Sequence, residues 1–172
     1  VLRSCLDRFL GGDRQDSMQP LHLSRTTAIP GEGAAFFLLQ PEDAEDGYAR
    51  IEQVTMGNLC GSRPELPAGQ PLLLNCDGYP ATGTVYRHQL AAEQPVACYT
   101  PLYGSSPVSM AFDLAVAALT LQRGELFPIP RTSTEVFCSP ISEPYSSCTE
   151  LTCLRYGLTG DYAAISLCRR EG

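Results

Sequence analysis

Apolar residues along this chain form short runs that predict buried strands and one long run that predicts a helix. The uninterrupted runs are GAAFFLLQ (33–40) and PLLLNCDGY (71–79), and such runs are typical of strands covered on both faces. Partial alternation in YARIEQVTMG (48–57) predicts another strand, with Ile51 and Val54 as its apolar points. Further strands are predicted at 96–99, in LTCLRYG (151–157) and in YAAISLCRR (162–170), the last two being joined by a tight Gly turn.

The longest helical pattern runs from Ser106 to Gly124. Ser106 suits the N-cap, Pro107 suits the first helical position, and Gly124 suits the residue that follows the last turn. Apolar side chains cover nearly the whole circumference of this helix, which is typical of a helix buried inside a larger body. Shorter helices are predicted at 1–10 and 84–93. Strands that alternate with helices indicate the α/β class.

The stretch GNLCGSRPELPAGQ (57–70) is rich in Gly and Pro and predicts a boundary between two parts of the chain. We therefore divide the chain into residues 1–56 and 57–172. Because the sequence opens at Val1 and moves straight into a helical pattern, we expect it to be part of a longer polypeptide.

Charge and composition narrow the classes of partner. The chain has 172 residues and a formal net charge of −7, which disfavours attraction to nucleic acid or to an anionic membrane surface. All twelve basic residues are Arg, so no lysine amine is available to form a Schiff base or to donate as an ammonium group. No signal peptide or membrane-spanning run is visible, and we expect a cytoplasmic protein.

Cysteine usage favours free thiols. There are eight Cys and two His, and no pair of Cys has the Cys-x-x-Cys spacing, so we expect no metal site and no cofactor. A chain of this length needs no disulfide staples. Four cysteines lie among apolar or strand-forming residues, as buried free thiols often do: Cys98, Cys138, Cys153 and Cys168.

Four segments, taken in order, resemble the β-ketoacyl synthase family of the thiolase-like fold. They are IPGEGAAFFLLQP, LLLNCDGYPATGTVYRHQLAA, TPLYGSSPVSMAFDLAVAALTLQRGELFP and LRYGLTGDYAAISLCRR. The resemblance implies an α/β thiolase-like layered fold, with mixed sheets and a buried central helix, that is incomplete in this chain. Residues 1–56 would be the end of the N-terminal half, containing the GEGAA strand, and residues 57–172 the C-terminal half.

The glycines of the first segment do not form a phosphate-binding loop. A dinucleotide loop needs a third small residue three positions after Gly33, and Phe36 stands there. By the resemblance, Gly31 and Gly33 let the backbone turn sharply into a central strand, while Ala34 and Ala35 leave room for another layer.

The resemblance also locates the positions of the family's catalytic groups. Pro80 and Ser105 stand where the family has its two His residues, and Thr100 stands where it has Lys. The Thr-Gly-Thr of the family is kept at 82–84, and no nucleophile elbow precedes the first segment. The resemblance implies a pocket lined by these positions and neighbouring hydroxyls, and its candidate residues are Pro80, Thr82, Thr84, Thr100, Ser105 and Ser106.

Other polar residues have a chemical and a structural interpretation. Cys76 lies at the end of a predicted strand, so it could be a nucleophile with His88 as its base, or a buried thiol beside a surface His. His22 fits a surface position or a structural hydrogen bond better than catalysis. Glu32 and Asp161 could be paired carboxylates, although capping or turn chemistry also explains them.

The residues and the resemblance together leave three alternative functions. The first is a ketosynthase-like acyltransferase of the fatty acid or polyketide type, with its Cys on a preceding segment or chain. The second is a non-catalytic partner or scaffold subunit of the chain-length-factor type, with a degenerate active site. The third is a hydrolase using Cys76 and His88. The resemblance implies an acyl carrier protein or acyl-CoA thioester as partner, and a homodimer or a heterodimer with a ketosynthase homologue.

Overall fold

The structure is a computed structural model that describes residues 18–41, 46–129 and 138–170, and the helix predicted at 1–10 lies outside these ranges. Its helices are α1 (Pro80–Gln89), α2 (Thr100–Tyr103) and α3 (Ser109–Arg123). Its strands are β1 (Arg50–Asn58), β2 (Leu72–Leu74), β3 (Pro95–Ala97), β4 (Glu125–Leu126), β5 (Ser139–Pro140), β6 (Tyr145–Ser146), β7 (Glu150–Tyr156) and β8 (Asp161–Cys168).

Six of these strands form one mixed sheet in the order β1-β8-β7-β2-β3-β5, and β4 pairs with β6 in a second small sheet. Pairing is antiparallel from β1 through β8 to β7 and parallel from β7 through β2 and β3 to β5. Leu73 at the centre faces Cys153 of β7 on one side and Ala97 of β3 on the other. The predicted α/β class with mixed sheets is therefore confirmed.

Strand β2 is short and wholly apolar because both of its faces are covered. Leu72 and Leu74 enter a core cluster that includes Tyr86 of α1, whereas Leu73 enters a second cluster that includes Ala117 of α3. Successive side chains on a strand point to opposite faces, so α1 and α3 pack on opposite sides of the sheet. The uninterrupted apolar run of the sequence thus marks a central strand, as predicted.

The predicted strand pair near the chain's end is also confirmed. Strands β7 and β8 form a hairpin, and Gly160 in its turn has a φ of 81°, a value that side-chain-bearing residues rarely adopt. Strand β1, predicted from partial alternation, adds to the outer edge of β8. The boundary expected after residue 56 falls within β1, and the division into two family halves stays a prediction.

The strand predicted at 33–40 is wrong. Residues 32–41 have no regular structure, and Phe36 and Leu38 are 94% and 85% exposed. A buried strand needs neighbours that accept its backbone hydrogen bonds and cover its side chains. No described residue pairs with the backbone of this segment, and most of its large apolar side chains are left exposed.

Helix α3 is the predicted long helix, with two differences. It begins at Ser109, with Val108 as its N-cap, so Ser106 and Pro107 precede it; its end at Gly124, in the left-handed conformation with φ 74°, is as predicted. Only the face containing Asp113, Ala117 and Leu121 is buried; the opposite face is half-buried or exposed. The described residues leave the outer side of the helix partly uncovered, so its burial all round stays a prediction. No described helix combines the length and apolar character needed to cross a membrane.

Candidate functional site

The loops that follow β2 and β3 meet at one edge of the sheet, because parallel neighbours end on the same side. Residues 27–31 run across both loops and tie them together. Thr27 N donates to Gly78 O at 2.9 Å, Ser105 N donates to Ile29 O at 2.7 Å, and Gly31 N donates to Ser105 O at 3.0 Å. The regions carrying Pro80 and Ser105 are therefore brought together by a common strap, the segment 27–31.

The glycines of the strap allow close backbone approach. A Cβ atom on Gly31 would lie 1.9 Å from the carbonyl oxygen of Tyr103, and one on Gly78 would lie 2.8 Å from Ala28 N. Gly33 faces the ring of Phe112, whose Cζ would be 2.4 Å from an added Cβ. These residues are small because other groups pack against them, and not because they turn the chain into a buried strand, as the sequence had suggested.

A buried polar network lies behind the two loops. Asp113 on α3 accepts hydrogen bonds from Asn75 Nδ2 and from the hydroxyl of Tyr103. Ser109 Oγ lies 2.9 Å from Asn75 Oδ1 and 2.8 Å from Ser106 O, so its one proton is shared between two acceptors. This network joins the end of β2, helix α2 and helix α3.

Burial raises the pKa of Asp113 to about 7, although the hydrogen bonds from Tyr103 and Asn75 and the charge of Arg155 act to lower it. The carboxyl group is therefore poised between its protonated and ionised forms near neutral pH. Sequence reasoning missed this residue, yet a signal was present. Asp113 is the one charged side chain in the apolar stretch 107–122.

Tyr86 is a second buried polar centre. Its hydroxyl can donate to Asn75 O at 3.0 Å or to Leu154 O at 3.3 Å, and it accepts from Tyr156 N at 3.1 Å. Helix α1 is thus held against β2 and β7 where these strands end.

The structure argues against Cys76 as a nucleophile with His88 as its base. Cys76 is 1% exposed, and burial, followed by its hydrogen bond to Cys98, raises its pKa well above the usual value. A nucleophilic thiol needs a lowered pKa and access to substrate. His88 lies on the exposed side of α1, while Tyr86, two residues earlier, points into the core.

The predicted pocket residues are largely engaged in structural contacts. Pro80 is the first residue of α1, where its missing N–H costs no hydrogen bond. Thr82 Oγ1 donates to Asp77 Oδ2 at 3.1 Å, and Thr84 Oγ1, which is exposed, donates to Pro80 O at 2.8 Å. Burial raises the pKa of Asp77, which also accepts from Tyr79 N at 3.0 Å at the start of α1.

On the other loop, Thr100 is fully buried, and its Oγ1 lies 3.0 Å from the sulfur of Cys98. Ser105 is bridged to the strap through both its N–H and its carbonyl, and Ser106 is buried with its carbonyl near Ser109. The loops converge, but they meet through packed backbone and internal hydrogen bonds.

The remaining candidates have structural roles or lie apart. His22 is buried, and its Nδ1 accepts a hydrogen bond from Ser24 N at 3.2 Å, a structural hydrogen bond. The Asp161 carboxylate accepts a hydrogen bond from the Thr159 hydroxyl in the β7–β8 turn, which fits the turn role that the sequence allowed. Glu32 is exposed beside the strap. Within the described ranges, no group of three or more His, Cys, Asp or Glu residues is arranged to hold a metal ion.

Seven cysteines lie in the described ranges, and all are free thiols. Cys98, Cys138 and Cys153 are buried as predicted, whereas Cys168 is only half-buried and Cys60 is exposed. Cys76 and Cys148 are also buried.

No family model and no curated protein matches the chain by sequence. Solved structures do match. The ishigamide ketosynthase/chain length factor is similar over 99% of this chain and 51% of that chain, with a TM-score of 0.66 and 10% identity. Ketosynthase twelve of the bacillaene polyketide synthase from Bacillus amyloliquefaciens is similar over 72% of this chain and 30% of that chain, with a TM-score of 0.51 and 12% identity.

A third match is a ketosynthase solved with its type II polyketide synthase acyl-carrier protein and bound to the hexaketide. It is similar over 72% of this chain and 39% of that chain, with a TM-score of 0.52 and 11% identity. The chain thus spans about half, or less, of the length of the structures it matches. Its described residues adopt part of the ketosynthase-like thiolase fold.

Proposed function

We propose that this chain is a β-ketoacyl synthase-like protein that performs no condensation of its own and acts as a partner subunit of the chain-length-factor type. The observation that carries the proposal is the set of residues at the two converging loops. Pro80, Thr100 and Ser105 stand where the resemblance places the family's proton-handling groups, and each is part of the local packing.

Chemistry explains why these residues would not support condensation. The reaction needs a thiolate nucleophile and donors aimed at the oxygen on which enolate charge develops. Pro80 has no N–H, and the backbone groups of Ser105 are already used by the strap. Loss of one oxyanion donor typically costs about 10²–10³ in rate, so loss of two leaves little activity. The buried thiol of Cys76 does not replace the nucleophile.

The proposed partner is an active ketosynthase homologue, together with the acyl carrier protein that serves it. Support comes from the matched structures, which include a ketosynthase/chain length factor and a ketosynthase in complex with its acyl-carrier protein. A heterodimer is preferred over a homodimer, because a homodimer of this chain would lack the condensing groups on both sides.

The test is reconstitution with an active type II ketosynthase and its acyl carrier protein. We expect a stable complex by sedimentation, a change in product chain length when the chain is added, and no product from the chain with malonyl- and acyl-loaded carrier alone. The Cys76→Ala variant is the matched control and should behave as the wild type. Condensation by the chain alone that is lost in Cys76→Ala would overturn the proposal, and so would failure to bind any ketosynthase tested.

A further inference from the structure

The carboxyl group of Asp113 joins the same two loops that the strap joins. It accepts a hydrogen bond from Asn75 Nδ2, at the end of β2, and another from the hydroxyl of Tyr103, at the end of α2. One donor therefore belongs to the loop after β2 and the other to the loop after β3. Asp113 itself lies on α3 and is inaccessible to solvent. A single buried titratable group thus holds both loops from within the fold.

Tyr103 connects this carboxyl group to the strap. Gly31 of the strap packs so closely on it that an added Cβ would lie 1.9 Å from the Tyr103 carbonyl oxygen. Gly104, the next residue, has a φ of 75°, which lets the chain turn sharply between α2 and Ser105. Ser105 is hydrogen-bonded to the strap through both its N–H and its carbonyl. Movement of Tyr103 away from Asp113 would therefore disturb the hydrogen bonds of the strap.

The surroundings of Asp113 offer little to balance a negative charge. The charge of Arg155 acts on it, but Nη1 of that guanidinium group already donates to Pro107 O at 3.1 Å. The residues of β8 that pack on this side include Ile165 and Leu167, which do not titrate. The other titratable groups on the described elements packed against α3 are Cys153 on β7, Cys98 and Tyr103 around the loop after β3, Asp77 after β2, Glu125 in β4, and Glu32 beside the strap. None of these is a cation, so the two neutral donors are the main support of an ionised Asp113.

We infer that Asp113 is a pH-controlled latch, whose protonated form keeps the loops after β2 and β3 together and whose ionisation favours their release. A protonated carboxyl group still accepts hydrogen bonds, so it can keep its donors. In the released state water reaches the carboxyl group, which then titrates as an ordinary Asp. Because burial raises the pKa of Asp113 in the packed state to about 7, rising pH favours release. The latch uses neither a partner nor a substrate, so it does not depend on the proposed function.

The test is amide hydrogen exchange of the full chain, followed by NMR between pH 5 and pH 8. The amides of Ser105 and Gly31 report release, because they donate across the strap, and the amide of Cys153 in the central sheet reports opening of the whole fold. We expect Ser105 and Gly31 to exchange at least about ten-fold faster than Cys153. After correction for the intrinsic rate, their exchange should accelerate about 50-fold from pH 5 to pH 7 and about two-fold from pH 7 to pH 8.

Three variants identify the titrating group. Asp113→Asn has nearly the shape of the protonated carboxyl group and should lose most of the acceleration. Tyr103→Phe removes a donor that favours the ionised form, so the acceleration should extend above pH 7, to about five-fold between pH 7 and pH 8. A purely structural role of the Tyr103 hydroxyl would instead change exchange by the same factor at every pH. The matched control is Asp77→Asn, which removes the carboxyl group after β2 and should keep most of the acceleration.

Several results would overturn the latch. Exchange at Ser105 and Gly31 that is no faster than at Cys153 would mean that the loops part only when the whole fold opens. Wild-type acceleration in Asp113→Asn, or its loss in Asp77→Asn, would assign the titration to another group. A Tyr103→Phe profile that differs from wild type by a constant factor would also contradict the latch, and it decides alone if Asp113→Asn does not fold. None of these results bears on the proposed function, which is tested by complex formation and product length.

Discussion

At the scale of single residues, Asp113 connects three parts of the fold. Its carboxyl group accepts from Asn75 at the end of β2 and from Tyr103 in α2, while its own backbone belongs to α3. Charged groups are rarely fully buried unless they are paired or hydrogen-bonded. The two donors reduce the cost of burying this carboxyl group without removing it, as its raised pKa shows.

Replacing Asp113 with Asn should flatten the dependence of stability on pH. The pKa of Asp113 rises from its ordinary value of 3.8 to about 7 in the folded chain, so its contribution to stability is fully present below pH 4 and is lost as pH rises through 7. The full shift corresponds to about 4 kcal/mol as an upper limit. Urea unfolding of wild type between pH 4 and pH 8 should show stability falling, and Asp113→Asn should show a smaller fall.

Some pH dependence should remain in that variant, because burial also raises the pKa of Asp77. Superimposable pH profiles for wild type and Asp113→Asn would contradict the prediction.

The hydroxyl groups of two tyrosines in the core should respond in different ways to removal. Tyr86→Phe leaves the backbone N–H of Tyr156 without its acceptor inside the core, which should destabilise the fold by about 1–3 kcal/mol. Tyr156→Phe is the control, because the Tyr156 hydroxyl is buried without a hydrogen-bond partner among the described residues and its loss should be close to neutral. Urea midpoints measure both. Equal losses from the two substitutions would contradict this account.

At the scale of elements, α3 has two unlike sides that the sequence pattern did not distinguish. Its apolar residues surround the helix, which favours burial all round. The sheet covers only the side that contains Ala117 and Leu121, both of which are fully buried. The composition of a helix shows which of its side chains could be buried, whereas the layers packed against it decide which of them are buried.

Because only one side of α3 is buried, the two neighbouring alanines 117 and 118 should differ in how much a substitution by Asp lowers stability. A helix buried all round would make Ala118→Asp as damaging as Ala117→Asp, but Ala118 is only half-buried. Ala117→Asp should be the severe substitution, because Ala117 is inaccessible to solvent and the charge would have no partner. Thermal unfolding followed by circular dichroism should show a large loss of Tm for Ala117→Asp and a smaller one for Ala118→Asp. A larger loss of Tm for Ala118→Asp than for Ala117→Asp would show that α3 presents a different side to the sheet.

The local pattern of apolar and polar residues predicted some strands correctly and one strand wrongly. The strands β2, β7 and β8 were predicted correctly because each is short, apolar or alternating, and bounded by turn residues. The strand at 33–40 was predicted with the same reasoning and is absent. A strand forms only when a neighbour is present, and the pattern of one segment contains no information about its neighbour.

At the scale of the whole molecule, the chain has a compact sheet with helices on both faces and an apolar side that the described residues leave uncovered. The matched structures are about twice as long or longer, which agrees with a body that is one part of a larger layered fold.

Thiol labelling should report the opening of the whole core. Cys60 is exposed and should react with iodoacetamide at the rate of an unhindered thiol, whereas Cys76, Cys98 and Cys153 should react only when the core unfolds. Mass spectrometry of peptides after brief labelling measures each site, and labelling in urea should remove the difference. Fast native labelling of Cys76 would restore its interpretation as a nucleophile.

The sequence by itself determined the α/β class, the central strands, the β7–β8 hairpin and the end of α3 at Gly124, because these depend on residues close together in the chain. It also indicated the ketosynthase-like fold through motif order. Only the tertiary structure decided that Asn75, Tyr103 and Asp113 form one buried network, that the strap ties two loops together, and that Phe36–Leu39 is uncovered. Such contacts join residues distant in sequence, and no periodicity within a single segment encodes them.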